Sequence, residues 1–158
     1  MSSAETPDYV AIERLQRRYA DLVSQRRWSD LPNLFEPDCF VDLDLRDRSM
    51  EFRGGEAIAS FIEGAIARFD FFVFSILNAV IEELDVPMGR ATGRIYICEL
   101  RHDPASDEFS QAFGLYRDVY RRRPDGWKFA QRYYSSVGRH EADGFVAFPI
   151  PTDPLPRD

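Results

Sequence analysis

The 158-residue chain holds only two cysteines, Cys39 and Cys98, and two histidines, His102 and His140. Both cysteines lie in apolar, strand-like runs without metal-ligand spacing, which argues against a disulfide framework or a zinc cluster. They read as buried free thiols in a reducing compartment. Cys98 and His102 share a strand face but are four steps apart, roughly 13 Å, too far for one metal. No metal and no cofactor are expected. Also missing are a Gly-rich phosphate loop, a Ser nucleophile motif and a dinucleotide fingerprint. No apolar run approaches the roughly 20 residues of a membrane span. Met1-Ser2-Ser3-Ala4-Glu5 shows no basic-then-apolar leader pattern. A cytoplasmic protein with no membrane partner is the expectation. Positive charge is scarce as well: the net charge of −7 speaks against a nucleic-acid partner, which needs Lys and Arg against phosphate. The basic run Arg121-Arg122-Arg123 ends in Pro124-Asp125-Gly126 and reads as a solvated hairpin end.

What is present is apolar and aromatic. Hydrophobic residues make up 44% and aromatics 14%, with 13 Phe, enough for one domain to fill a core and still line a cavity. Thr6-Pro7-Asp8 reads as a capped helix start, and Ile12, Leu15, Tyr19 and Leu22 follow at helical spacing over residues 7–26. Ser29-Asp30 predicts a second, short helix carrying Leu31, Leu34 and Phe35. Residues 39–45 alternate, with Val41, Leu43 and Leu45 on one face and Asp42 and Asp44 on the solvated other. A short strand over 50–53 and a helix over 56–69 come next. Four long strands, 71–84, 90–101, 108–122 and 127–137, are rich in β-branched and aromatic residues. Turn sequences separate them, as in an antiparallel meander. Helices followed by long strands indicate α+β architecture. A single domain over 1–140 is expected, with a Pro-rich tail over 141–158 that cannot continue a sheet and lies on the domain or on a partner subunit.

This order of elements resembles the nuclear-transport-factor-2-like superfamily, a cone-shaped α+β barrel. Local sequence resembles its SnoaL-like branch: Tyr19-Ala20-Asp21-Leu22, then Arg27-Trp28-Ser29-Asp30-Leu31, Leu34-Phe35 and Asp38. Further matches are Gly54-Gly55-Glu56-Ala57-Ile58, Asn78, Gly114 to Asp118, and Asp125-Gly126-Trp127-Lys128-Phe129 with Arg132. The resemblance covers about residues 8–140. It implies a pocket used by cofactor-free enzymes such as ketosteroid isomerase, scytalone dehydratase and polyketide cyclases. It equally admits a non-catalytic ligand-binding or dimeric domain, or a structural subunit like the small subunit of ring-hydroxylating dioxygenases. Two positions depart from the pattern: Ser24 stands where many relatives have Asp, and Phe74 where many have His.

The resemblance nominates Asp118 as the acid–base group, since polyketide cyclases place an Asp at this point of the hairpin. Strand alternation puts Gly114, Tyr116, Asp118 and Tyr120 on one face. A carboxylate among aromatics has a raised pKa. Set against this is an ion pair between Asp118 and Arg132 on the next strand; the two readings carry equal weight. Arg132 binds an anionic oxygen or only partners Asp118. Tyr19, Tyr96, Tyr116 and Tyr134 are candidate hydrogen-bond donors to a carbonyl. Phe72, Phe74, Ile76 and Asn78 share a strand face, an aromatic pocket floor with one polar reference. Ser24 completes the candidate substrate-binding set. The expected ligand is a small hydrophobic molecule of steroid, polyketide or aromatic type. The expected chemistry is isomerisation, dehydration or cyclisation by proton transfer, in a homodimer formed through the outer sheet face.

Overall fold

The structure, a computed structural model, describes residue 3 and residues 5–155. Helix α1 spans Thr6–Ser24 and buries Ile12, Leu15, Gln16, Tyr19, Leu22 and Val23 along one stripe. The expected Thr6 cap is not made. Glu5 occupies the cap position without a side-chain capping hydrogen bond, and Thr6 is already helical. The helix start is held instead by Asp8, whose carboxylate accepts from Trp127 Nε1 at 2.8 Å and from Arg122 at 3.2 Å. The Arg121–Arg123 run is therefore more than a solvated hairpin end: Arg122 fixes α1 and Arg123 pairs with the buried Glu36.

A 3₁₀ turn at Leu31–Leu34 takes the place of the second helix, because Phe35 already opens strand β1, Phe35–Asp44. Strand β2 is Ser49–Arg53, and helix α2 is Gly55–Ile66. Gly54 admits the sharp entry to α2. Its φ is +83°, and a Cβ there would stand 2.8 Å from the Pro37 carbonyl oxygen. The four long strands are β3 Phe71–Asp85, β4 Arg90–Asp103, β5 Glu108–Arg123 and β6 Gly126–Glu141. The tail contributes one more strand, β7 Gly144–Ala147, antiparallel to β6. The Pro-rich stretch thus does extend the sheet for four residues. Its prolines begin at Pro149, past the last paired position.

The sheet order is β2-β1-β6-β5-β4-β3, with β7 on β6. All neighbours are antiparallel except β1 and β6, which run parallel with Val41 opposite Arg132. Strands of 14 to 16 residues would reach about 50 Å if straight. Here they curl. Irregular register at Ile76/Asn78 and Ile81/Glu83 in β3, and at Phe113/Gly114 and Val119/Tyr120 between β5 and β6, sharpens the bend. The two helices close the hollow side. Ile95, Ile97 and Tyr116 from the concave face share one core with Tyr19 and Leu22 of α1 and Ile58 and Ile66 of α2.

Candidate functional site

The concave side encloses a cavity of about 540 Å³. Leu43 and Val41 of β1 form one wall, and Ile58, Phe61 and Ile62 of α2 the roof. Tyr19, Tyr116, Tyr134, Arg132, Glu99 and Arg101 bring polar atoms to it. Exposed Asp47, Arg48, Arg68 and Glu141 ring the mouth. A surface depression of about 610 Å³ near the start of α2 carries Glu36, Arg123, Asp125 and Lys128. Those charges already pair with one another, so the cavity on the concave side is the candidate site.

At the wall lies a buried cation with an unusual cage. The Arg132 guanidinium donates to Asp118 through Nε at 2.8 Å and Nη2 at 3.1 Å. Its carbon stands 3.9 Å from the Tyr116 ring centre, 4.1 Å from Phe129 and 4.3 Å from Tyr19. Asp118 also accepts from the Tyr120 hydroxyl at 3.1 Å, which in turn accepts from Gln16 at 2.9 Å. All four polar side chains are at most 1% exposed. Burial pushes the Asp118 pKa up, while Arg132 and the Tyr120 hydroxyl pull it down. Burial opposes the charge on Arg132, but Asp118 and the flanking phenols hold its proton firmly. One donor is left over: Arg132 Nη1 is buried and has no hydrogen-bond partner among the described residues. It lies on the guanidinium edge turned away from Asp118, and Arg132 lines the cavity while Asp118 does not.

Asp118, nominated as the proton shuttle, is therefore sealed behind Arg132 with both oxygens engaged. A different carboxylate reaches the cavity. Glu99 lies on the concave face of β4, opposite Ala112, and its side chain retains 24% exposure. Burial raises its pKa; the Arg101 guanidinium, with Nε 3.7 Å from Oε2, works against the shift. Glu99 is not among the residues that the sequence pattern or the family resemblance nominates. The available signal was alternation: Ile95, Ile97 and Glu99 continue one face, so a charge follows two core residues.

The other nominated residues separate into three groups. Tyr19, Tyr116 and Tyr134 do converge on the cavity. Burial raises the pKa of each, so each remains a neutral donor. Gly114 permits the Tyr134 placement, because a Cβ there would fall 2.1 Å from the Tyr134 ring. Phe72 and Phe74 are buried but fill the core beside it; the Phe74 ring centre is 5.4 Å from that of Tyr19. They form no cavity floor. Tyr96 and Asn78 lie elsewhere. Tyr96 alternates out of the face carrying Ile95 and Ile97, and the bulge between Ile76 and Asn78 turns Asn78 to the exposed side. Ser24 also stays out of the cavity. Its Oγ accepts from the Phe74 backbone N–H at 3.0 Å, so the two positions that depart from the family pattern form a staple between α1 and β3.

The remaining titratable groups are peripheral. Cys39 is buried, and its surroundings push its thiol up to about 12; it is an inert thiol. Cys98 is also buried and free. His102 is half-buried and bridges Asp70 at 2.6 Å and Asp107 at 3.1 Å. Among the described residues no group of three or more His, Cys, Asp or Glu side chains is arranged to hold a metal. No helix there is long and apolar enough to cross a membrane.

Residues 4–133 match the model of the SnoaL-like domain. The chain belongs to the SnoaL-like domain family. A relative, the uncharacterized protein Rv2910c of Mycobacterium tuberculosis, is 29% identical over 136 residues, covering 84% of this chain and 87% of that protein. Two solved structures share the SnoaL-like architecture. One, from Novosphingobium aromaticivorans, carries a provisional assignment as a scytalone dehydratase; it superposes with a TM-score of 0.76 at 19% identity, covering 100% of this chain and 99% of that one. The other is the hexachlorocyclohexane dehydrochlorinase LinA-type3 of Novosphingobium barchaimii, with a TM-score of 0.75 at 17% identity and coverage of 93% and 97%. At these identities the likeness is one of fold.

Proposed function

We propose that this SnoaL-like domain is a cofactor-independent enzyme that moves a proton on a small hydrophobic carbonyl compound, with Glu99 as the acid–base group. The observation that carries this reading is the meeting, at one cavity, of a carboxyl of raised pKa, three neutral phenols and, in the wall behind them, a buried cation. A base whose pKa is lifted toward the working pH transfers protons efficiently. A fixed cation at the place where oxygen gains charge lowers the barrier most.

In this scheme the Glu99 carboxylate removes a proton from the carbon next to the substrate carbonyl. The C–H electron pair forms the C=C bond of an enolate, whose oxygen accepts from a Tyr hydroxyl, with the Arg132 charge directly behind the Tyr19 and Tyr116 rings. Return of the proton to another carbon gives isomerisation. Return of the proton to a departing β-hydroxyl gives water and an alkene. The names of the two structural neighbours, a dehydratase and a dehydrochlorinase, both describe eliminations that include loss of a proton. Asp118 is a positioning residue here, because it holds Arg132 rather than touching substrate. Exposed Phe109, Phe145 and Val146 support association of two copies, which sedimentation velocity reads directly.

The test is exchange of the α-hydrogens of β-tetralone in heavy water, followed by NMR. Wild type should accelerate exchange well above buffer, Glu99→Gln should return it to background, and Glu99→Asp should retain part of it. Equal exchange in wild type and Glu99→Gln would remove Glu99 from the mechanism. No acceleration by any protein, with no ketone bound, would leave the non-catalytic binding domain as the reading.

A further inference from the structure

Five arginines line the cavity wall and mouth; Arg48 is exposed to solvent, and the other four differ in how their charge is met. Arg132 has Asp118, Arg139 has Asp47 at 3.6 Å, and Arg68 has Asp103 at 3.5 Å. Arg101 has only Glu99, at 3.7 Å and without a hydrogen bond, and its Nε is buried with no hydrogen-bond partner among the described residues. Burial raises the pKa of Glu99, with Arg101 working against the shift, and the proton that Glu99 takes up in the reaction cancels the one charge facing Arg101. Arg101 is held in place all the same: it lies 5.6 Å from the Phe69 ring centre and 17% of its side chain is exposed. A planar guanidinium in that position presents a fork that fits a carboxylate through two parallel hydrogen bonds. Its neighbour in the cavity wall, Arg132, also has one buried donor, Nη1, without a partner among the described residues. Unmet buried donors of this kind cost stability unless a ligand satisfies them.

We infer that the substrate of this cavity is an organic acid: an apolar ring body against Phe61 and Leu43, and a carboxylate bound by Arg101. This deepens the proton-transfer reading of the same cavity and rests on it for the carbonyl. The carboxylate supplies the counter-ion that Glu99 gives up when it is protonated. It also fixes the ring so that only one edge of the molecule meets Glu99, which makes Arg101 a specificity-determining residue.

The experiment compares β-naphthoate with β-naphthamide, which share shape and differ in charge, by isothermal titration calorimetry on the full chain. Wild type should bind naphthoate at least about tenfold more tightly. Arg101→Gln should reduce that preference to less than about threefold by weakening naphthoate alone, and Arg101→Lys should restore most of it. The melting temperature of each variant serves as the check on folding. Equal binding of the two probes by wild type, or a preference unchanged in Arg101→Gln, overturns the inference. The β-tetralone exchange assay separates this from the parent reading. Exchange without naphthoate preference leaves the enzyme reading standing and discards the acid. An Arg101-dependent preference without exchange keeps the anion site and discards the catalysis. Failure of both probes to bind overturns the acid site as well.

Discussion

Replacing Asp118 by Asn separates a structural carboxylate from a chemical one. In the native protein Asp118 is 0% exposed and takes two hydrogen bonds from Arg132 and one from Tyr120. An amide keeps one acceptor oxygen, turns the other into a donor facing the guanidinium or the Tyr120 hydroxyl, and removes the only carboxylate paired with Arg132. The cation cannot escape to water, because Tyr19, Tyr116 and Phe129 enclose it. Breaking one partner of a buried pair costs about 3–5 kcal/mol, a large part of the roughly 5–15 kcal/mol that holds a domain folded. At about 2–4 °C per kcal/mol for a domain of this size, the melting temperature should fall by roughly 6–20 °C. Calorimetry and the urea midpoint should agree. Glu99→Gln should change stability by no more than about 1 kcal/mol, because Glu99 has only a loose contact with one partly exposed arginine. The double variant Asp118→Leu/Arg132→Met should recover much of the loss, since an apolar pair needs no counter-ion. An Asp118→Asn protein that melts within about 2 °C of wild type, while Glu99→Gln melts far lower, would reverse the assignment of the two carboxylates.

Four further outcomes follow from the titrating groups and the packing. Burial lifts the Glu99 pKa above its ordinary 4.5, so tetralone exchange should rise with pH through an inflection above that value. The same shift favours the folded state at low pH and is lost as pH rises, so wild type should lose melting temperature relative to Glu99→Gln over that interval. Asp70 and Asp107 raise the His102 pKa above 6.5. Its stabilising contribution is then full below pH 6.5 and disappears as pH climbs through the folded value; the gap in melting temperature between wild type and His102→Asn should close over that window, and a constant gap would refute it. Gly114→Ala drives a methyl into the Tyr134 ring. It should cost about 1–3 kcal/mol and shrink the cavity, read as weaker naphthoate binding at a temperature where the variant is folded.

The fold was legible because its signals are local. Long runs of β-branched and aromatic residues, broken by Pro- and Gly-containing turns, placed β3 to β6 within a few residues of their ends. The site was legible only in part. Strand alternation correctly grouped Tyr116, Asp118 and Tyr120, yet alternation cannot tell which buried polar residue faces a void and which faces another side chain. That decision depends on Arg132, brought in from the next strand, and it left Asp118 sealed. Asn78 was misplaced by a bulge, which shifts the two-residue period without a sequence mark. Glu99 carries no mark in the sequence, because a charged residue in the later half of a strand is ordinarily solvated, and only the fold shows it lining the cavity.

The parallel seam between β1 and β6 has a consequence for how the protein is made. Val41 meets Arg132 only after some ninety intervening residues have left the ribosome. Until then the first strand has its hairpin partner on one edge and nothing on the other, and the chamber lacks a side. A nascent chain halted before Gly126 would present the apolar faces of both helices and of β1 to solvent, a species that invites chaperone capture or aggregation. The ligand chamber should therefore form only once β6 is free to pair with β1.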